Sequence, residues 1–295
     1  MCVTLEAMNS LPFDVAIVGL GIIGVHQVTR EAEETIRRCR HTFVVDSGFA
    51  VVPYLKGICG TVTDLVPLYQ RGKHRLDTYH QMAAQVINAA LTSSPVCFAT
   101  YGHPLVYCYP ALLIQRAAKI FNLRIDIFPG ISALDALMVD LRVDVATDGL
   151  QMYEATDLLV RRRPVQDDVP CIIWQADVVG EPTYKTRRAS TRRFLPLQNY
   201  LLEFYPPKHS ITLVLSRTFP LQRSIIETYR MESLALELGQ GPQAGTLYIP
   251  PVRRREIADH KFLEQISRHS QGAKSARSSS NLESFRRGSQ NGFSK

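Results

Sequence analysis

Three glycines stand where a chain could hold a phosphate. Gly19, Gly21 and Gly24 follow the apolar run Asp14-Val-Ala-Ile-Val18, and Asp46 closes the next apolar run, His41-Thr-Phe-Val-Val45. Glycines at this spacing let backbone N–H groups approach a pyrophosphate, and an acid ending the second strand can hold a ribose hydroxyl. Taken alone, the segment supports an NAD(P)- or FAD-binding Rossmann oxidoreductase. The competing reading is a tight strand-to-helix turn that needs positive φ. The eight histidines show no metal-ligand spacing, so no metal is expected. The six cysteines form no C-x-x-C pair and sit mostly in apolar patterns, which predicts reduced, buried thiols in a cytoplasmic protein.

The elements that must position such residues alternate between strand and helix. Continuous apolar strands are expected at Asp14–Val18, His41–Val45, Pro95–Ala99 and Arg124–Phe128. Helices are expected at Val28–Arg38, with Glu early and Arg late, and at Pro110–Phe121. A third is expected at Tyr79–Leu91, where Leu76, Tyr79, Ala83, Val86 and Ala90 form one stripe. The second half is more mixed: strands at Cys171–Gln175, Ile211–Leu215 and Gly245–Ile249, helices at Asn199–Tyr205 and Ile225–Leu238, and long loops between Val160 and Pro196. The pattern is that of an α/β fold with a largely parallel sheet.

Composition sets the outer limits. The chain has 295 residues, 45% hydrophobic and 21% charged, which suits a soluble globular protein. No apolar run approaches the roughly 18 residues of a membrane span, and no basic n-region with an apolar core opens the chain, so neither membrane nor secretion is expected. The net charge of +7 gathers at Arg161–Arg163, Arg187–Arg193, Arg253–Arg255 and the C-terminal tail. Such runs are expected as solvated loops, and no aromatic-interleaved stripe points to nucleic acid. From about Gln271 onward the chain is Ser, Arg, Gly and Gln, too polar to offset the entropy of ordering.

Further motifs bear on the glycine loop. Gly19-Leu-Gly-Ile22 followed by Gln27-x-Thr29-x-Glu31-Ala32 resembles the opening of the tetrapyrrole methylases, specifically the branch related to borosin peptide N-methyltransferases. The same branch is matched by Tyr69-x5-Arg75-x3-Tyr79 with Gln81-Met-Ala83, by Tyr101-Gly-His-Pro104 and by Phe128-Pro-Gly-Ile-Ser-Ala-Leu-Asp-Ala-Leu137. Gln151-x-Tyr-Glu-Ala-Thr-Asp157, Ile173-Trp-Gln175 with Val179-Gly180, and Leu247-Tyr-Ile-Pro-Pro251 complete it. The motifs are individually weak and jointly specific, and they run colinearly over about Val15 to Pro251.

The resemblance implies two α/β domains, 12–128 and 129–252, with the active-site cleft between them, then a helical extension at 253–270 and a disordered basic tail at 271–295. It implies a methyltransferase that binds S-adenosyl-L-methionine and forms a homodimer. Carried over by motif, the cofactor contacts are Gly19, Gly21, Tyr101, His103, Val106, Ser132, Ala133, Gln175 and Thr246, and the catalytic set is Tyr69, Arg75 and Tyr79. Arg75 and Tyr79 are four apart and share a helix face. In the peptide-methylating branch the acceptor is a backbone amide, a poor nucleophile because its lone pair is delocalised. A tyrosine with its pKa lowered by a guanidinium could take the amide proton, and Arg75 could steady the carbonyl oxygen. The competing reading is a surface arginine beside two tyrosines packed on an amphipathic helix. Fused members of that branch carry an apolar C-terminal substrate, whereas the residues after Pro251 here are charged and polar, which points to a peptide on a separate precursor. Methylation of a tetrapyrrole or another small molecule is the alternative, and a non-catalytic binding protein of the same fold is a third class.

Overall fold

The computed structural model describes residues 12–46, 48, 50–185, 189–241 and 245–267. Residues 12–252 make one compact unit and residues from 253 onward another. In the second unit residues 260–267 are helical, and the Asp259 carboxylate accepts from the Phe262 N–H at the start. The expected tail 271–295, residues 268–270 of the expected helical extension, and Arg187 lie outside the described residues.

The first unit contains two five-stranded sheets. The first sheet has the order β3-β2-β4-β1-β5. Its strands are β1 (Val15–Gly19), β2 (His41–Val45), β3 (Val62–Asp64), β4 (Val96–Thr100) and β5 (Ile125–Phe128), all parallel. The inner strands β1 and β4 are buried at every position because both faces are covered, whereas the edge strands β3 and β5 are half-buried or exposed and carry Asp64 and Asp126. Val15, Ile17, Phe43, Val96 and Phe98 face α3 (Arg75–Ser93) and α4 (Tyr109–Ile120). Ala16, Val18, Val44, Cys97 and Ala99 face α1 (Arg30–Arg38) and α2 (Val51–Ile58). Thr29 caps α1 by accepting from the Ala32 N–H at 3.1 Å.

The second sheet has the order β6-β7-β10-β8-β9. Its strands are β6 (Gln151–Glu154), β7 (Cys171–Trp174), β8 (Ser210–Leu215), β9 (Ile225–Arg230) and β10 (Thr246–Ile249). Only β6 and β7 pair in parallel; the other pairs are antiparallel. One face packs on α6 (Ala155–Arg161), α7 (Leu195–Leu201) and α8 (Leu234–Gln240). The other receives α5 (Ala133–Leu141), where Leu137 meets Ile172, Trp174, Val214 and Tyr248.

Several expectations need correction. Ile225–Leu238 is not one helix. Ile225, Ile226, Thr228 and Tyr229 are β-branched or aromatic, and they pair with β8 as an edge strand before a 3-10 turn leads into α8. The expected helix at Asn199–Tyr205 starts earlier, at Leu195, with Pro196 in its first turn, and ends at Leu201. Leu76 lies outside the buried stripe of α3, which runs through Thr78, Met82, Ala83, Val86, Ile87 and Ala90. The loops expected after Val160 begin only after α6 ends at Arg161. Arg161 and Arg163 are exposed but both pair with Asp157, and Arg162 pairs with Glu203. Cys39, Cys59, Cys97, Cys108 and Cys171 are all free thiols.

The glycine loop is a packing device. A Cβ on Gly19 would lie 2.6 Å from the Gly102 carbonyl oxygen and 2.6 Å from the Gly130 nitrogen, so three chain segments meet there backbone to backbone. Gly19→Ala is therefore expected to lose about 1–3 kcal/mol of stability to overpacking. Equilibrium urea unfolding measures it, and a wild-type midpoint would show that the three segments can part at no cost.

Candidate active site

The carboxyl ends of the first sheet's parallel strands open toward α5 and the end of β7, where open α/β sheets place ligands. There a cavity of about 300 Å³ is walled by residues from both halves of the unit. Tyr101, His103 and Val106 follow β4; Ala133 opens α5; Trp174 and Gln175 end β7. Tyr69 follows a 3-10 turn at Val66–Leu68, and Tyr79 comes from the second turn of α3. Sequence motifs far apart along the chain thus converge on one space. A second trough of about 420 Å³ shares Tyr79, Tyr107, Cys108, Tyr109 and Gln175 with it and opens at the exposed Leu105 and Leu112.

The other expected site residues are not among those that line this cavity. Ser132 is buried and caps α5: its hydroxyl donates to Asp135 Oδ2 at 2.6 Å and accepts from the Asp135 N–H. Thr246 is half-buried on β10, paired with Val214. Gly19 and Gly21 lie behind the His103 loop, with Gly21 and Gly102 exchanging backbone hydrogen bonds. Arg75 borders a separate small cavity with Asp177, Glu181 and Arg193, and its buried Nε has no hydrogen-bond partner.

The glycine loop's donors are already used. The Leu20 N–H donates to the Thr100 carbonyl and the Gly21 N–H to Gly102; the Ile22 and Ile23 N–H groups both donate to Gln27 Oε1, at 2.7 and 3.1 Å. A pyrophosphate would find no open backbone donor at these four residues, which removes the physical basis of the dinucleotide reading.

Electrostatics separates the tyrosines from the simple expectation. Burial raises the Tyr69 phenol, and Tyr79 adds to the rise; Arg75 only partly opposes it. The guanidinium by itself does not deliver a low phenol pKa. Partial burial first, and the Asp46 carboxylate second, raise Tyr101. His103 accepts from the Leu105 N–H through Nδ1 at 3.1 Å, which leaves Nε2 to carry the proton of the neutral ring. Tyr107 and Gln175 hold φ of 53° and 56°, a costly region for side-chain-bearing residues that often marks ligand sites.

Motif reasoning missed Tyr107 and Trp174, whose rings lie 5.5 Å apart on the cavity wall. Trp174 is the only tryptophan of the chain and directly precedes Gln175, a signal that was available. Asp46 is 5% exposed, and its Oδ2 is buried without a partner beside the cavity wall at Val45.

These features define an α/β cleft whose ligand space is walled largely by aromatic side chains, beside a glycine loop whose donors at residues 20–23 are already taken. Residues 14–169 match the family model described as Tetrapyrrole (Corrin/Porphyrin) Methylases. The chain belongs to that family. It is 30% identical over 239 residues to a methyltransferase and type I borosin cyclic peptide precursor of Coprinopsis marcescibilis, covering 80% of this chain and 61% of that protein. It is 29% identical over 244 residues to a methyltransferase and omphalotin A precursor of Omphalotus olearius, covering 81% and 58%. The chain thus spans about three fifths of the length of these relatives. Among solved structures it shares its fold with the methyltransferase CobJ, at a TM-score of 0.57 and 16% identity over 83% of this chain and 96% of that one. A uroporphyrin-III C-methyltransferase from Thermus thermophilus complexed with S-adenyl homocysteine superposes at 0.54 with 13% identity, over 80% and 91%.

Asp46 gives a pH test. Burial lifts its carboxyl to about 6, partly opposed by the Gly48 N–H. The folded state then holds a proton that the unfolded chain has lost, so stability falls as pH rises from about 4 to about 6, by on the order of 2–3 kcal/mol, and is flat above. Asp46→Asn should remove that slope and be the more stable protein at about pH 7. Denaturant midpoints across that range measure it; an unchanged slope in Asp46→Asn would assign the slope to another group.

Proposed function

We propose that the chain transfers the methyl group of S-adenosyl-L-methionine to a backbone amide nitrogen of an apolar peptide. The observation that carries this is the shared cavity, in which Tyr69 and Tyr79 face Tyr101, His103, Val106, Ala133 and Gln175. The space suits such a cofactor: it lies at the small end of ligand pockets and adjoins the larger trough, its aromatic walls favour a cation, and no phosphate cradle is needed. When bound, the cofactor supplies an electrophilic methyl group on a positively charged sulfur.

This chain's residues do the rest. Tyr101, His103, Val106, Ala133 and Gln175 would hold the donor, Ser132 fixes the start of α5, Gly19 and Gly21 support the loop that carries His103, and Thr246 would act from β10 outside the lining. Tyr69 or Tyr79, ionised by loss of its own proton to solvent, would take the amide proton, and the unpartnered Nε of Arg75 would donate to the carbonyl oxygen as charge grows there. The tyrosine keeps that proton, which leaves the amide nitrogen able to accept the methyl group that the cofactor would supply. A cation in the cavity lowers a nearby phenol, which offsets the burial that raises Tyr69. The apolar trough past Tyr107 and Leu112 suits the acceptor's side chains. Five free thiols among the described residues favour a reducing compartment such as the cytosol, and we expect a homodimer, which light scattering would test.

Trp174 makes the test direct, since the only indole lines the cavity. S-adenosylhomocysteine should change its emission with a Kd on the order of micromolar, and NADH should not. Tight NADH binding without the homocysteine ligand would overturn the reading. Mass spectrometry of an apolar peptide panel and a tetrapyrrole, each incubated with the cofactor, then identifies the acceptor; a methylated tetrapyrrole alone would move the substrate out of the peptide class.

Variants divide the roles. Arg75→Ala should lose about 2.7–4 kcal/mol of transition-state stabilisation while S-adenosylhomocysteine still binds. Tyr79→Phe keeps the ring and should fold while losing turnover. His103→Ala should weaken cofactor affinity first. Wild-type turnover in Tyr69→Phe, Arg75→Ala and Tyr79→Phe together would mean that the acceptor atom is nucleophilic without a base.

A further inference from the structure

Residues 181–185 leave the second sheet's β7 and lie along the segment that enters α3. The Arg75 N–H donates to the Pro182 carbonyl at 2.9 Å, the Tyr184 N–H to the Lys73 carbonyl at 2.9 Å, and the Gly72 N–H to the Tyr184 carbonyl at 2.9 Å. His74 and Thr183 form the antiparallel bridge between them. This short ladder grips the three residues before α3 and Arg75 itself. The Tyr184 ring lies 5.4 Å from Tyr69, on which Tyr79 packs edge-on at 6.2 Å. Tyr184 does not line the cavity; it backs a residue that does.

Glu181 anchors the segment. Its side chain is only 5% exposed and accepts from the Thr183 N–H at 3.0 Å, the Thr183 hydroxyl at 2.6 Å, Arg193 and Lys185. Burial pushes this carboxyl up, but the donors from Lys185, Thr183 and Arg193 outweigh it and hold it down to about 2. Glu181 therefore stays charged across the working pH range. A carboxylate offers about four lone-pair sites, and here four donors meet them. Arg75 borders the same small cavity, yet makes no ion pair among the described residues and keeps an unpartnered Nε. A carboxylate already satisfied by Lys185 and Arg193 does not capture it.

We propose that residues 181–185 are a positioning strap for the acceptor side of the site, with Glu181 as its anchor, Pro182 holding the first turn of α3 at Arg75, and Tyr184 backing Tyr69. The inference rests on the methyl-transfer reading for its catalytic meaning and on the ladder for its structural one. Glu181 and Tyr184 are positioning residues: they act through Arg75 and Tyr69 and touch neither donor nor acceptor. The alignment of Tyr69 and Arg75, held from the first half of the chain, is thereby set from the second.

Two measurements on the full-length protein test it. Amide hydrogen exchange in Glu181→Gln should rise by about tenfold or more at residues 72–79, with α4 unchanged, because the ladder loses its anchor. With the acceptor from the peptide panel, Tyr184→Ala should lower kcat by about tenfold, leave S-adenosylhomocysteine affinity within about twofold, and alter the pH–rate profile through Tyr69. Tyr184→Phe keeps the ring and should restore kcat to within about threefold. Wild-type exchange at 72–79 in Glu181→Gln, or wild-type kcat in Tyr184→Ala, would overturn the strap. A wild-type protein that leaves Trp174 emission unchanged with S-adenosylhomocysteine would instead defeat the methyl-transfer reading, and the exchange arm reads independently of it.

Discussion

The close contact of Gly19, Gly102 and Gly130 is the constraint on which the cleft depends. Gly19 ends β1, Gly102 follows β4, and Gly130 follows β5, the three neighbouring strands at the centre and edge of the parallel sheet. A Cβ on Gly130 would come within 2.4 Å of the Gly102 oxygen, so side chains are excluded where these chains turn. With the backbones in contact, the loop after β4 is drawn over the sheet edge, and Tyr101, His103 and Val106 face the end of β7. The loop after β5 is held equally close, which places Ser132 and Ala133 at the start of α5. The glycines serve the ligand by shaping the wall, and their spacing resembles a phosphate cradle because both tasks need backbone without side chains.

That shared requirement explains what was legible in the sequence and what was not. Most of the parallel half was readable because its inner strands, Val15–Gly19 and Val96–Thr100, are buried on both faces and so nearly all apolar, whereas the short edge strand Val62–Asp64 carries no such run and was not anticipated. The second half carries mixed patterns. Ile225–Arg230 mixes apolar and polar residues on both faces of an exposed edge, and its periodicity gave no decisive choice between helix and strand. The motif residues around the cavity, Tyr101, His103, Ala133 and Gln175, could be named from local resemblance. Tyr107 and Tyr184 could not, because their places come from contacts between distant segments that have no sequence spacing, whereas Trp174 stood in a quoted motif beside Gln175 and was passed over. The fate of the glycine-loop donors was equally hidden: nothing in the spacing of Gly19, Gly21 and Gly24 says that the Gln27 side chain takes two of them.

The two halves of residues 12–252 depend on each other at the site. Tyr69 and Tyr79 belong to the first sheet's helical layer, and Trp174 and Gln175 to the second sheet. The cavity exists only where they face. The ladder between residues 72–75 and 182–184 makes this coupling specific, because backbone hydrogen bonds fix register as well as distance. Hydrophobic packing alone would tolerate small slides that a reaction requiring aligned atoms would not.

Charge is distributed by the same logic. The Glu181 side chain is little exposed and met by four donors, so it contributes to one arrangement and resists change. Asp46 and Arg75 are the reverse: each leaves a buried polar atom unpaired, as does Trp174 on the cavity wall. Leaving such groups open costs stability, since a buried donor or acceptor without a partner forfeits its hydration. A chain selected for stability alone would pair or replace them. Of the four buried unpaired side-chain atoms among the described residues, Tyr205 Oη lies in the packed core of the second sheet, Trp174 Nε1 belongs to a residue of the cavity wall, Asp46 Oδ2 to the residue after wall residue Val45, and Arg75 Nε to a residue of the separate small cavity. The satisfied carboxylate of Glu181 thus holds the frame between the two halves, while Trp174 and Arg75 keep open donors at the two cavities.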